Sequence, residues 1–247
     1  MPQEQVTIKT ADGDCNTYVL TPSEGAGPWP AVIVYMDALA IRPAMIDMAR
    51  RLADAGYVAL LPDLFYRYGP HETLDPKAVF AQGFGNSIVP TLMASTDNHK
   101  AAEDTRALLA YLDTRSDVAG EKVGTVGFCM GGGMALTAAG FFPERVAAAA
   151  SYHGGNIATD KPTSPHLLAP KMKAEVYVAG ADKDDSYPPE QAERMEKALT
   201  DAGVKHVAEI YEGAAHGWMK TDFPIYNKDA AERGWREMLA LFDRNLH

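Results

Sequence analysis

The sequence predicts an α/β fold in a single domain over residues 1–247, with about eight strands in a mostly parallel sheet flanked by helices. Three observations carry that expectation. Short apolar, β-rich runs alternate with longer stretches of helical spacing, the rhythm of βαβ units. A length of 247 residues suits one large α/β domain better than two complete small ones. Hydrophobic residues make up 47% and charged residues 23%, usage that excludes disordered, collagen-like and coiled-coil chains.

Taken in chain order, the strands are expected at Val6 to Lys9, Tyr18 to Thr21, Ala31 to Tyr35, Val58 to Leu61, Val123 to Gly127, Ala147 to Tyr152, Glu175 to Ala179 and Val207 to Tyr211. Each is a β-branched or aromatic run bounded by turn residues. Helices are expected at Pro43 to Ala55, Asn98 to Leu112, Met130 to Ala139, Pro188 to Ala202 and Asp229 to Asn245, several with proline at an opening turn. Two stretches, Tyr66 to Thr96 and Gly154 to Lys173, are dense in Pro, Gly, Ser, Thr and His and read as long loops. In a parallel sheet ligands bind beyond the carboxyl ends of the strands, so these loops are expected to form lid and pocket wall.

Charge and cysteine usage narrow the function. The formal charge of -10 has the wrong sign for a surface that condenses on nucleic acid or anionic lipid. No apolar run is long enough to cross a bilayer, and Met1 to Asp14 carries no apolar signal core. Two cysteines, Cys15 and Cys129, are too few for a disulfide framework and suggest a reducing, cytoplasmic setting. The expected partner is a small molecule, and the expected state is a monomer or small homo-oligomer.

The sharpest local signal is Gly127-Phe128-Cys129-Met130-Gly131, where an apolar strand enters a tight turn that opens a helix. A nucleophile elbow of the G-x-S-x-G type has this form, here with sulfur in place of oxygen. Such a turn strains its central residue and needs glycine on either side so that strand and helix can approach. The helix N-terminus places partial positive charge beside Cys129, which favours the reactive thiolate. The bland alternative is a small buried thiol in a tightly packed turn.

A thiol nucleophile needs a base, and the base needs an orienting acid, in the chain order nucleophile, acid, histidine. Asp182 follows the seventh expected strand, and His216 follows the eighth. Asp182 is the expected acid with Asp185 its main rival, and the acidic run through Asp184 and Asp185 also suits helix capping. His216 alone among the seven histidines lies after a late strand, where a base belongs.

With those residues in place, the chain resembles the dienelactone hydrolase family of α/β-hydrolases. The matching segments are Pro30 to Asp37, Gly56-Tyr57, Leu61 to Arg67, Gly127 to Gly132 and Ala215 to Trp218. The resemblance implies an α/β-hydrolase fold, no metal or organic cofactor, and hydrolysis of a lactone or activated ester through a Cys129 thioester. It implies an oxyanion hole built from the backbone N–H groups of Met130 and Ala38. Asp37 stands where the family usually carries a glutamate that helps deprotonate the thiol. Lys220 stands where it carries one of two substrate-binding arginines, and the other has no match between Gly69 and Thr105. Arg42 and Arg67 are the expected substitutes, and Tyr35, Tyr152, His153 and Trp218 are expected to line an aromatic pocket. The missing arginines keep open a broader carboxylesterase acting on neutral esters. A retired hydrolase fold serving as a small-molecule receptor is the reading from a different class.

Overall fold

The computed structural model describes residues 3–247, so the first two residues of the expected domain lie outside it. Eight strands are present among the described residues: β1 (Gln3–Thr10), β2 (Gly13–Leu20), β3 (Trp29–Tyr35), β4 (Val58–Pro62), β5 (Val118–Phe128), β6 (Val146–Tyr152), β7 (Glu175–Ala181) and β8 (His206–Tyr211). They form one sheet in the order β1-β2-β4-β3-β5-β6-β7-β8. β1 and β2 make an antiparallel hairpin, and β2 lies antiparallel to β4. From β4 to β8 every pairing is parallel. Each of the eight expected strands is therefore found; β1, β2, β3 and β5 begin earlier than their apolar runs indicated, and β7 ends later.

Parallel strands must be covered on both faces, and the burial follows that rule. β4 and β7 are buried along their whole lengths, β3 from its second residue, and β5 from Val123 to Phe128. One face carries α1 (Pro43–Asp54), which buries Met45, Met48 and Leu52, and α7 (Lys228–Leu246), which buries Trp235, Met238, Leu241 and Phe242. Arg51 of α1 ties the two by its ion pair with Glu232 and its cation–π contact with Trp235. The other face carries α4 (Asn98–Asp113) and α5 (Met130–Phe141). α5 is buried from Gly131 to Gly140, which explains a helix apolar on every side. The last crossover helix, α6 (Pro189–Asp201), joins β7 to β8.

The two stretches read as loops hold short helices. Residues 66–96 contain α2 (Pro76–Gln82), a 3-10 turn at Phe84–Asn86 and α3 (Val89–Ala94), and residues 154–173 contain a 3-10 helix at Pro165–Lys171. Helices of one or two turns show too little periodicity to stand out from their Pro and Gly surroundings. α2 opens on Pro76, and its first turn is capped by Asp75, whose side chain accepts from the Lys77 N–H at 3.0 Å. Val79 and Val89 cluster with Ala38 and Leu39, seating this segment over the carboxyl end of β3.

The crossing of β3, β5 and α5 sets the tightest limit on the sequence. A Cβ at Gly127 would lie 1.8 Å from the Gly131 carbonyl oxygen, and one at Gly131 would lie 2.2 Å from that of Tyr35. Both obstacles are backbone, so no side chain can swing away. Gly131→Ala is therefore expected to cost about 3 kcal/mol or more in urea unfolding. A variant within about 1 kcal/mol of wild type would contradict this packing.

Candidate active site

Cys129 sits at the junction of β5 and α5 with φ 54° and ψ −117°, a conformation that costs a non-glycine residue about 1–3 kcal/mol. Its backbone N–H is held twice, by the Tyr152 carbonyl at 3.1 Å and by His153 Nδ1 at 3.2 Å. The turn lifts the thiol into a cavity of about 430 Å³ at the carboxyl ends of the strands. Ala38, Leu39, Phe80, Phe84, Lys183, Asp184, Asp185, Ser186, His216 and Phe223 are among its other walls.

His216 enters from the turn after β8, and its Nδ1 lies 2.6 Å from Asp184 Oδ2. Ser186 Oγ is its other hydrogen-bond neighbour, 3.3 Å from Nδ1, and the Cys129 thiol shares the cavity with it. Burial works against a charged ring here, but the neighbouring Asp184 and Cys129 outweigh it and raise His216 to about 10. Burial likewise opposes the Asp184 carboxylate, yet His216 and Ser186 hold its pKa below the usual value. Ser186 donates to Asp184 Oδ1 from both its backbone N–H, at 2.9 Å, and its hydroxyl, at 2.6 Å. The carboxylate is thereby fixed with its other oxygen toward the imidazole.

The acid beside His216 is thus Asp184, which corrects the expectation of Asp182 and its rival Asp185. β7 continues to Ala181, and Lys183 then takes φ 53°, a left-handed turn that sends Asp184 inward. Asp182 accepts from the Gly213 N–H at 3.1 Å and ties together the two turns that carry Asp184 and His216. Asp185 is exposed on the cavity wall. Sequence spacing placed the acid in the right turn, but the backbone reversal at a lysine was not visible in it.

The two residues implied as oxyanion donors, Met130 and Ala38, follow the ends of β5 and β3. Met130 is the first residue of α5, where an N–H has no partner within the helix. The Ala38 N–H makes no hydrogen bond among the described residues, although its neighbours are fixed: Leu39 N–H donates to Asp37 Oδ1 at 2.8 Å.

The expected substrate contacts are placed differently. Asp37, expected instead as the carboxylate that helps deprotonate the thiol, is buried and engaged by Arg42, whose Nη1 and Nη2 donate to its two oxygens at 2.8 and 3.0 Å. Arg42 also donates from Nε to Asp222 at 2.6 Å, so its fork is fully engaged inside the protein. Lys220 is completely buried, with Nζ 3.5 Å from Asp37, 2.8 Å from Met45 Sδ and 3.8 Å from the centre of the Phe128 ring. Burial pushes Lys220 down to about 8 against the pull of Asp37. Burial opposes the Asp37 charge as well, but Lys220 and Arg42 lower its pKa. Neither cation reaches the cavity. Arg67 is bound bidentately to Asp104 and also to Asp12, away from Cys129.

The four aromatic residues expected to line a pocket are core residues instead, all with no measurable exposure. Tyr35 bonds Thr105, Tyr152 donates to the Gly234 carbonyl, and Trp218 stacks on Tyr211. His153 packs edge-on against Trp218 while its Nδ1 supports the Cys129 backbone. The aromatic wall is built from Phe80, Phe84 and Phe223, two of them on the segment read as a lid.

A family model described as the dienelactone hydrolase family matches residues 15–246. A Synechocystis sp. sequence named "Putative carboxymethylenebutenolidase" is 30% identical, over 98% of this chain and 96% of the relative. The chain belongs to the dienelactone hydrolase family. An Escherichia coli (strain K12) relative of the same name is 31% identical over 96% of this chain and 84% of its own. A dienelactone hydrolase-family structure from Klebsiella pneumoniae subsp. pneumoniae superposes with a TM-score of 0.82 at 25% identity, covering 98% of both chains. A dienelactone hydrolase-like promiscuous phosphotriesterase from metagenomic libraries shares the fold, with a TM-score of 0.79 at 22% identity over 100% and 99% of the two chains. The protein is a hydrolase of the α/β-hydrolase fold, and no helix among its described residues is long and apolar enough to cross a membrane.

The geometry separates the two aspartates experimentally. Asp184→Asn is expected to lower kcat on an activated ester by about 10³–10⁴-fold, as loss of an orienting acid does, while Asp182→Asn stays within about tenfold of wild type. Equal losses in the two variants would contradict the assignment. A second outcome concerns pH. His216 is raised in the folded state, so its contribution to stability is complete below its unfolded pKa, about 6.5, and is lost as pH rises through about 10. The Tm gap between wild type and Asp184→Asn should therefore be wide near neutral pH and close above that upper limit; a gap that widens there would contradict it.

Proposed function

We propose that this hydrolase cleaves a small-molecule carboxylic ester or lactone through a thioester on Cys129, with His216 carrying the proton and Asp184 orienting it. The observation that carries the reading is the 2.6 Å bond between Asp184 and His216 in a cavity that also holds the Cys129 thiol. Asp184 fixes the imidazole through Nδ1 and leaves Nε2 for the reacting groups.

In the first half-reaction the Cys129 sulfur attacks the ester carbonyl, and the developing oxyanion is met by the N–H groups of Met130 and Ala38. The acyl–oxygen bond then breaks, with His216 delivering its proton to the leaving oxygen. A thiolate is itself a good leaving group, so the adduct goes forward only when the departing oxygen is at least as good, as an enolate or phenolate is. Amides are accordingly poor substrates. In the second half-reaction a water gives its proton to His216, attacks the thioester and releases the acid, with the sulfur leaving. The three charged groups gathered around Asp37 take no part in either step; they hold the loop that presents Ala38.

Steady-state hydrolysis of para-nitrophenyl acetate tests the reading. Cys129→Ala and His216→Ala are each expected to lose about 10³-fold or more in kcat/KM, with Cys129→Ser retaining the fold and a small residual rate. Undiminished turnover by Cys129→Ala would overturn the thioester route.

A further inference from the structure

We infer that the substrate is a neutral ester carrying an aromatic or branched apolar group, held by Phe80, Phe84 and Phe223 and not selected by a carboxylate. This rests on the hydrolase reading above and specifies its substrate class. Two independent observations lead to it, one from charge and one from exposed apolar surface.

The charged and titratable groups lining the cavity are Asp37, Lys183, Asp184, Asp185 and His216, together with the Cys129 thiol. Asp37 is occupied by Arg42, and Asp184 by His216 and Ser186. What remains is exposed Lys183 with exposed Asp185 two residues away, opposite signs that leave no surplus positive charge. Arg42 and Lys220 are sealed beneath the wall and cannot turn outward without leaving Asp37 buried and unpaired, a costly exchange. The whole chain carries a formal charge of -10, which further disfavours the approach of an anion. A substrate carboxylate entering here would lose hydration with no dedicated partner.

The apolar surface supplies the positive half of the argument. α2 buries Val79 on one side and leaves Phe80 42% exposed at the cavity, and Phe84 in the following turn is 41% exposed. Lysine or glutamine at these places would satisfy solvent equally well, so the folded chain gains little from two open aromatic rings. Phe80 meets Phe223 edge to face, with ring centres 5.0 Å apart at 87°. Together with Leu39 and Ala38 they form an apolar wall beside Cys129, in a volume within the range of small-molecule sites. An aryl or branched group of an ester can stack or pack there while its carbonyl lies over the sulfur.

Two matched pairs of neutral and altered substrates test this with the intact protein. Phenyl acetate bearing a para-carbamoyl group is compared with its para-carboxylate counterpart, which has nearly the same shape. Wild type is expected to favour the neutral ester by about tenfold or more in kcat/KM. Naphthyl acetate is then compared with vinyl acetate, and Phe80→Ala and Phe84→Ala are each expected to lower the naphthyl-to-vinyl ratio about fivefold. Both side chains are exposed, so folding should survive; thermal unfolding checks it. Preference for the carboxylate ester overturns the charge argument, and unchanged ratios in the variants overturn the role of the rings. If no ester is hydrolysed faster by wild type than by Cys129→Ala, the hydrolase reading itself fails and takes this inference with it.

Discussion

The arrangement at the end of the sheet depends on one steric constraint, the close passage of β5 and α5 against the end of β3. Gly127 and Gly131 permit backbone contacts that no side chain tolerates, and Cys129 between them is forced into a left-handed conformation. That strain is held by two acceptors for one N–H, the Tyr152 carbonyl and His153 Nδ1. The result is a thiol presented above the sheet at a helix N-terminus, beside the first N–H of that helix, which has no partner among the described residues. Everything else at the site is arranged around that fixed point: the turn after β7 brings Asp184, the turn after β8 brings His216, and Asp182 ties the two turns together.

The second organising element is the buried group of Asp37, Arg42 and Lys220, with Asp222 at its edge. Charged residues are rarely buried unless paired, and here two cations converge on one carboxylate while a second carboxylate balances Arg42. Asp37 also accepts from the Leu39 N–H, so the loop between them, including Ala38, is held at both ends. The network serves position more than recognition. Asp37 borders the cavity but keeps both cations behind it, which explains how a chain can carry cations near the motif positions expected for carboxylate binding and still present none of them to the cavity.

The strands and long helices were legible because each repeats its apolar period over enough residues, and the elbow was legible because only glycine suits its geometry. Cys129 was read from that turn and His216 from chain order, and the fold brings both to one cavity. The acid was misplaced by two residues, since nothing in Asp182-Lys183-Asp184-Asp185 marks Lys183 as the residue that turns left-handed. Tyr35, Tyr152, His153 and Trp218 were misread because an aromatic residue near a strand end has the same pattern whether it faces a pocket or the core. Phe80 and Phe84 lay hidden in a stretch whose helices are too short to show a face. Arg42, Arg67 and Lys220 show the wider limit: sequence identifies a cation, but only the fold shows whether an internal carboxylate already occupies it.

The central claim is that acyl transfer passes through the sulfur of Cys129. The most direct test mixes the protein with para-nitrophenyl pivalate, whose bulky acyl group slows hydrolysis of the thioester, then quenches in acid and measures intact and peptide masses. The account predicts one pivaloyl group per chain on the peptide containing Cys129, released on further incubation. Nitrophenol release with Cys129 unmodified, or with the acyl group on another residue, would contradict it.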